Sequence, residues 1–227
     1  MPSRKDTLRA AAACALLAWA GWLHAAEGVT AQQVLVGQSI TLQGGKNAYG
    51  AAVMDGVRTY LDKINAQGGV HGRQVALRTL DDDSQAAKAE ANARQLVEKD
   101  QVFVLFGSVE GGPSTAVMRV AVSHKVPFIG PMAGSPSLRV PHQPMVFPVR
   151  AEHKEEFRVL LEYAKMTGIQ RVGFMRADSD TGQQHLKNVQ ALCQQLGLQL
   201  TADLPFKSDE SDAQIAALAQ RLGSSNT

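Results

Sequence analysis

The sequence predicts an α/β fold in which parallel sheets are flanked by helices and divided between two lobes. Short apolar and β-branched runs alternate with segments of helical period from residue 34 onward, the pattern of successive βα units. The run at 102–106 is continuously apolar, as a strand covered on both faces requires. A proline-rich stretch at 131–148 interrupts the alternation before it resumes, which marks a boundary between lobes.

The elements follow in order. Residues 34–40 read as the first strand. Val53, Val57, Tyr60, Leu61 and Ile64 recur at three- and four-residue spacing and predict a helix over 49–66, stopped by Gly68-Gly69. A strand over 74–80 leads into a helix holding Ala86, Ala89, Ala93, Leu96 and Val97. After the strand at 102–106, the glycine-rich turn 107–114 places Pro113 where a helix can begin, and that helix continues over 116–123. Residues 126–129 form a fourth strand, and 146–150 read as a strand leading away from the first lobe. Phe157, Leu160, Leu161 and Ala164 then mark a helix and 172–175 a strand. Leu186, Val189, Leu192 and Leu196 mark a second helix, 198–204 another strand, and Ile215, Leu218 and Leu222 a last helical stripe.

Residues 1–26 stand outside this pattern. Arg4, Lys5 and Arg9 precede an apolar run over 10–23, and Ala25 and Ala26 supply a small-residue exit. That order is a cleaved secretory signal peptide; a membrane anchor needs a longer run, of ~20 apolar residues. Cys14 sits at the start of the run, whereas a lipid-modified cysteine would fall at its end. Cleavage removes three basic side chains and Asp6, so the formal charge of +2 falls to 2 − 2 = 0. A neutral surface without Lys/Arg runs gives no electrostatic footprint for nucleic acid or an anionic membrane. Only Cys193 then remains, so no internal disulfide forms, and its apolar helical setting makes it a small buried hydrophobe.

Five segments occur in a recognisable order: Ile64-Asn65-Ala66-Gln67-Gly68-Gly69-Val70-His71-Gly72-Arg73, then Asp81-Asp82, Phe106-Gly107-Ser108, Pro127-Phe128-Ile129-Gly130-Pro131 and Phe147-Pro148-Val149-Arg150. Together they resemble the type I periplasmic solute-binding proteins, and within them the leucine/isoleucine/valine-binding group that serves ABC importers. The likeness runs over roughly residues 34–222. It implies a signal peptide (1–26), a first α/β lobe (27–145) and a partial second lobe (146–227), so that the chain reads as C-terminally truncated. It further implies a monomeric periplasmic protein with no catalytic residues, metal or cofactor, which passes an amino-acid-like ligand to an ABC permease in the inner membrane. In that group the ligand's carboxylate and amine are held by loops at the carboxyl ends of first-lobe strands, where backbone amides at a helix start favour an anion. The corresponding positions are Ser108, Val109, Gly111, Gly112 and Ser114, followed by Met132, Ala133 and Gly134 in the next loop. Tyr49 matches an aromatic that lines the side-chain pocket.

Some positions depart from the group's pattern. Glu110 stands where small residues are usual, which leaves it pointing to solvent or selecting a cationic group. Ala133 and Gly134 replace a hydroxyl residue, and Thr181 replaces an aromatic. Ordinary structural roles compete with several of these readings. Ser114 can be a first-turn helix residue and Tyr49 a packing residue. Asp81, Asp82 and Asp83 read as a solvated strand end rather than a metal cluster, and Asp180 as a helix N-cap. His71, His124, His142, His153 and His185 lack zinc-ligand spacing and are placed in turns and on surfaces. No G-x-S-x-G, Walker or G-x-G-x-x-G motif occurs. Transport binding leads; a ligand-sensing domain for a receptor or amide-responsive regulator, a non-functional gene product and a small α/β enzyme are the rivals.

Overall fold

The computed structural model describes residues 26–207 and 210–225, so the signal peptide expected over 1–26 lies, but for Ala26, outside the described residues. Five strands form the first sheet: β1 (Gln33–Ile40), β2 (Gln74–Asp81), β3 (Val104–Phe106), β4 (Phe128–Ile129) and β5 (Val146–Phe147). They run all parallel in the order β2-β1-β3-β4-β5. Between them lie helices α1 (Ala48–Ala66), α2 (Ala86–Arg94, continued by a π turn over Gln95–Lys99) and α3 (Gly111–His124). The second lobe holds α4 (His153–Met166), β6 (Arg171–Ala177), α5 (Asp180–Leu196), β7 (Gln199–Phe206) and α6 (Asp212–Ser224), with β6 and β7 paired in parallel. This is the α/β layering that the alternation of sequence periods predicts.

Two differences from the expected boundaries have physical reasons. The third and fourth strands are shorter than their apolar runs, because the amides of the buried Val102 and Val126 donate to Leu96 O and Ala121 O at the preceding helix ends, at 3.1 and 3.0 Å, rather than to a neighbouring strand. The strand expected to leave the first lobe instead hydrogen-bonds to β4: Gly130 N donates to Phe147 O at 2.9 Å, and Phe128 N to Met145 O at 2.7 Å. Residues 146–147 therefore finish the first sheet, and the chain crosses over after them.

The first core lies between the sheet and the α2/α3 layer. Ala89 and Ala93 of α2 meet Ala116, Val120 and Ala121 of α3 against Leu105 and Phe128. The small side chains let the two helices approach closely enough to bury that face of the sheet. The second core gathers Leu161, Val189, Leu192, Cys193 and Leu198, with Phe157 set edge-on to Phe174 at 5.6 Å. Cys193 is buried there, as its helical stripe predicts. Among the described residues no helix is long and apolar enough to cross a membrane.

One device seats a helix on a strand end in each lobe. Asn47 caps α1 by accepting from Gly50 N at 2.8 Å, and Ser179 caps α5 by accepting from Gly182 N at 3.1 Å. A Cβ at Gly50 would collide with the Thr41 carbonyl, and one at Gly182 with the Ala177 carbonyl. Glycine at the third helical position thus allows each helix to begin directly against the strand it follows. The cap of α5 is Ser179; Asp180, expected to cap, is instead the first helical residue.

Of the aspartates expected as a solvated strand end, Asp83 is exposed, but Asp81 and Asp82 are anchors. Asp81 accepts from the amides of Leu42, Gln43, Gly44 and Asp83 at 2.9–3.2 Å, pinning the turn between β1 and α1. Burial by itself raises its pKa, but the four amide donors outweigh that and lower it from 3.8 to about 2. Asp82 is fully buried and accepts from Thr41 Oγ1 at 2.6 Å, Ser39 Oγ at 3.1 Å and Ser84 N at 3.1 Å. Burial raises its pKa against those hydrogen bonds. Among the described residues no group of His, Cys, Asp or Glu is arranged to hold a metal ion.

Because the Asp81 pKa is lower folded than unfolded, its stabilisation is present above 3.8 and is lost as pH falls toward about 2. Asp81→Asn should lower unfolding free energy at pH 7 by about 1–3 kcal/mol, the cost of weakened hydrogen bonds to a charged acceptor. In denaturant melts the gap from wild type should close across that acid interval.

Candidate functional site

All five strands of the first sheet end at one edge, and the loop after β4 meets the second lobe there, with His153 N donating to Gly134 O at 3.0 Å. A cavity of about 310 Å³ opens there, lined by Ser135, Pro136 and Ser137 from the loop after β4 and by Asp180, Thr181, Gln184 and His185 from the start of α5. It is an interlobe cleft at the carboxyl ends of parallel strands, where open α/β sheets place ligands.

A chain of hydroxyls runs along its first-lobe wall. Ser135 Oγ lies 3.0 Å from Ser137 Oγ, which lies 2.8 Å from Thr115 Oγ1; the Thr115 hydroxyl also reaches Gly111 O at 2.8 Å. The wall is thereby tied to the first turn of α3. Among the described residues, the amides of Glu110, Gly111 and Gly112 donate to no protein acceptor. Gly111 packs against the Ser135 side chain, its Cβ position 3.8 Å from the Ser135 Cβ. The positive ends of α3 and α5 therefore both border the cleft.

The residues singled out from sequence divide into two sets. Ser108 and Ser114 are fully buried with their hydroxyls joined to each other. Ser108 adopts φ 142°, a conformation costly for an L residue, and its carbonyl accepts from Met132 N at 2.9 Å. Val109 joins a small core with Ile40 and Met54, and Ala133 lies in the main core beneath the loop. Gly134 is covered by His153. These residues brace the wall from behind. Gly111 and Gly112 lie at its surface, Gly112 exposed; Met132 is half-buried beside Gly130; Tyr49 is 52% exposed on the first turn of α1. Glu110, left between solvent and a cation, does neither: it accepts from Ser84 Oγ at 2.5 Å and fastens the start of α3 to the loop after β2.

Sequence reasoning missed Ser135, Ser137, Gln184 and the histidine pair. His153 Nδ1 lies 2.8 Å from His185 Nε2, with the rings edge to face at 4.6 Å and Phe157 against both. These two histidines are a half-buried pair, not the surface residues expected, and burial lowers the pKa of each. Nothing in the spacing of two residues 32 positions apart announces the contact. The hydroxyls of Ser135 and Ser137 were legible as a continuation of the loop already singled out.

A second cavity, about 430 Å³, lies on the opposite face of the first sheet under α1, bordered by Val36, Val57, Leu61, Leu77, Val104 and Phe106. It has no set of polar groups with which to orient a polar solute. It is instead the uncovered part of a sheet face that in parallel folds is normally covered.

The chain can now be set beside known proteins. A family model described as periplasmic binding protein matches residues 33–226. The chain belongs to the periplasmic binding protein family. Curated relatives include a Leu/Ile/Val-binding protein, BraC3, of Rhizobium johnstonii, 32% identical over 124 residues that make up 55% of this chain and 32% of that one. A Leu/Ile/Val-binding protein homologue of Brucella melitensis is 28% identical over 57% of this chain and 35% of its own. Among solved structures, a substrate-binding periplasmic protein from Ralstonia solanacearum superposes with a TM-score of 0.73 at 25% identity, covering 81% of this chain and 52% of that one. The branched-chain amino acid binding protein LivJ of Streptococcus pneumoniae, solved with isoleucine, gives 0.70 at 22% identity over 84% and 54%. This chain thus spans about a third of the curated relatives and about half of the solved neighbours. The fold is that of the solved periplasmic binding proteins.

Gly134 is the tightest point of the wall: a Cβ there would collide with the His153 ring, while His153 N donates to Gly134 O at 3.0 Å. Gly134→Ala should displace that ring and cost about 1–3 kcal/mol as overpacking does, read as a lowered midpoint in thermal unfolding.

Proposed function

We propose that this protein is the extracytoplasmic solute-binding component of an ABC importer, holding a small amino-acid-like ligand between its lobes. The observation that carries the reading is the interlobe cavity bordered by two helix starts, with unpaired amides on α3 and hydroxyls on the adjoining wall. Such a wall suits a carboxylate: the amides donate and the helix dipoles add favourable potential. Asp180, Gln184 and His185 on the opposite side offer partners for an amine or a polar side chain. Membership of the periplasmic binding protein family and relatives named for leucine, isoleucine and valine support an amino acid as the ligand class. Ser108, Val109, Ser114, Ala133 and Gly134 then serve by shaping the loops, while Gly111 and Gly112 stand beside the Ser135 wall; Met132 lies in a separate hollow with Val53, Val57 and Gly130, and Tyr49 is exposed on α1.

A ligand touching both walls favours the arrangement in which both reach it, so binding closes the lobes, and the closed form docks on a permease in the inner membrane. Export by the N-terminal signal places this cycle in the periplasm.

The test removes one amide without disturbing the helix. Gly111 is the first residue of α3, where proline is well tolerated, and Glu110 before it is extended (φ −110°, ψ 149°), as a residue preceding proline should be. Gly111→Pro should leave the thermal midpoint within about 3 °C. It should weaken binding of the best ligand from a panel of L-amino acids by about tenfold in calorimetry, the loss of one charge-assisted hydrogen bond. Full retention of affinity would remove α3 from the site. For the closure step, X-ray scattering with that ligand at saturation should give a smaller radius of gyration than without it.

A further inference from the structure

The histidine pair sits where the two lobes meet, and its contacts run in both directions. His153 opens α4, and its backbone N–H donates to Gly134 O in the first-lobe loop at 3.0 Å. Its ring fills the space over Gly134 that any side chain would occupy. Through Nδ1 it holds His185 Nε2 on α5, and His185 in turn lines the cleft. A path of direct contacts therefore links the loop after β4, the first turn of α4 and the cleft-facing turn of α5. We propose that the His153–His185 pair is a proton-sensitive strut that fixes the seat of the second lobe on the first, holding it while both imidazoles are neutral and releasing it on acidification.

The geometry explains the sensitivity. An N–H···N bond between two imidazoles needs one donor and one acceptor, so full protonation of both rings destroys it and sets two cations against each other. The surroundings oppose charge. Phe157 packs on both rings. Of the charged groups facing them, Arg150 and Arg139 repel an imidazolium, while Glu156 and Glu152 attract one. Glu156, which acts on both rings, is already held by Arg150 through two bonds of 2.7 and 2.9 Å. Asp180 shares the cleft wall with His185. Burial is the largest influence and lowers both pKa values below the ordinary 6.5. Folded pKa values below the unfolded value mean that the seat is at full strength above 6.5 and weakens as pH falls beneath it. The consequence for the proposed cycle is that a cleft formed between the lobes loses one wall's register in acid. The strut itself requires no ligand, so the test is made without one, and its failure leaves the solute-binding reading standing.

The measurement is nuclear magnetic resonance of the whole chain between pH 7.5 and 5, following the imidazole nitrogens of both histidines and hydrogen exchange of the His153 amide. The result expected is that both rings titrate below 6.5 as a coupled pair and that protection of the His153 amide falls by at least about tenfold over the same interval, as opening of the seat predicts. His185→Phe keeps an aromatic ring against Phe157 and removes the second titrating group, and it should flatten that pH dependence while the second-lobe core amides of Val189 and Leu192 stay protected. Unshifted, independent titrations, or His153 protection that is constant with pH in wild type, would overturn the proposal.

Discussion

Parallel strands impose the constraint on which this structure depends: every strand of a sheet ends at the same edge, so every following helix begins there. In the first lobe that edge collects the starts of α1, α2 and α3, and with them amides that no helix can satisfy internally. The chain satisfies some strand-end amides with side chains, although neither α2 nor α3 has a side-chain cap. Asn47 takes the Gly50 amide, and Asp81 takes four amides, three of them from the turn before α1. At α3 the cap residue, Glu110, makes no capping bond, because its carboxylate is turned toward Ser84. Amides left free at one helix start, beside a cleft and a run of hydroxyls, are where the edge can take a ligand.

The buried polar groups behind that edge have a supporting role. Asp82 with Ser39 and Thr41, and Ser108 with Ser114, are enclosed and satisfied by one another. They hold the loops in shape, with Ser108 kept in a backbone conformation that it would not choose alone. Arg176 and Asp203 do similar work in the second lobe, joining β6 to β7 through paired bonds of 2.7 and 2.8 Å. A polar residue in a strand-end loop is thus as often part of the frame as part of the opening, and burial separates the two roles.

Much of the fold was legible in the sequence because it rests on period. Helical stripes such as Val53, Val57, Tyr60 and Ile64 located α1 to within a residue, and the apolar run at 102–106 marked a covered strand. Strand ends were less legible, since Val102 and Val126 are buried without being paired. The sequence singled out the helix start at Gly111 and the loop at 132–134, and the structure opens a cavity beside them that is lined by their neighbours Ser135, Pro136 and Ser137. Which of those residues face outward was not legible, because sequence spacing does not distinguish Ser114, sealed behind the wall, from Gly112 on its surface. The histidine pair and the placing of Glu110 depend on contacts between distant elements, and local pattern carries no trace of those.

The proposed function rests on a ligand meeting the starts of α3 and α5 across the cleft. Amide chemical-shift mapping during titration with L-leucine and, separately, L-glutamine tests it most directly. Saturable shifts are expected with at least one of them at Gly111, Gly112, Thr181 and Gln184. Shifts confined to Val57 and Leu61, at the apolar cavity under α1, would contradict it.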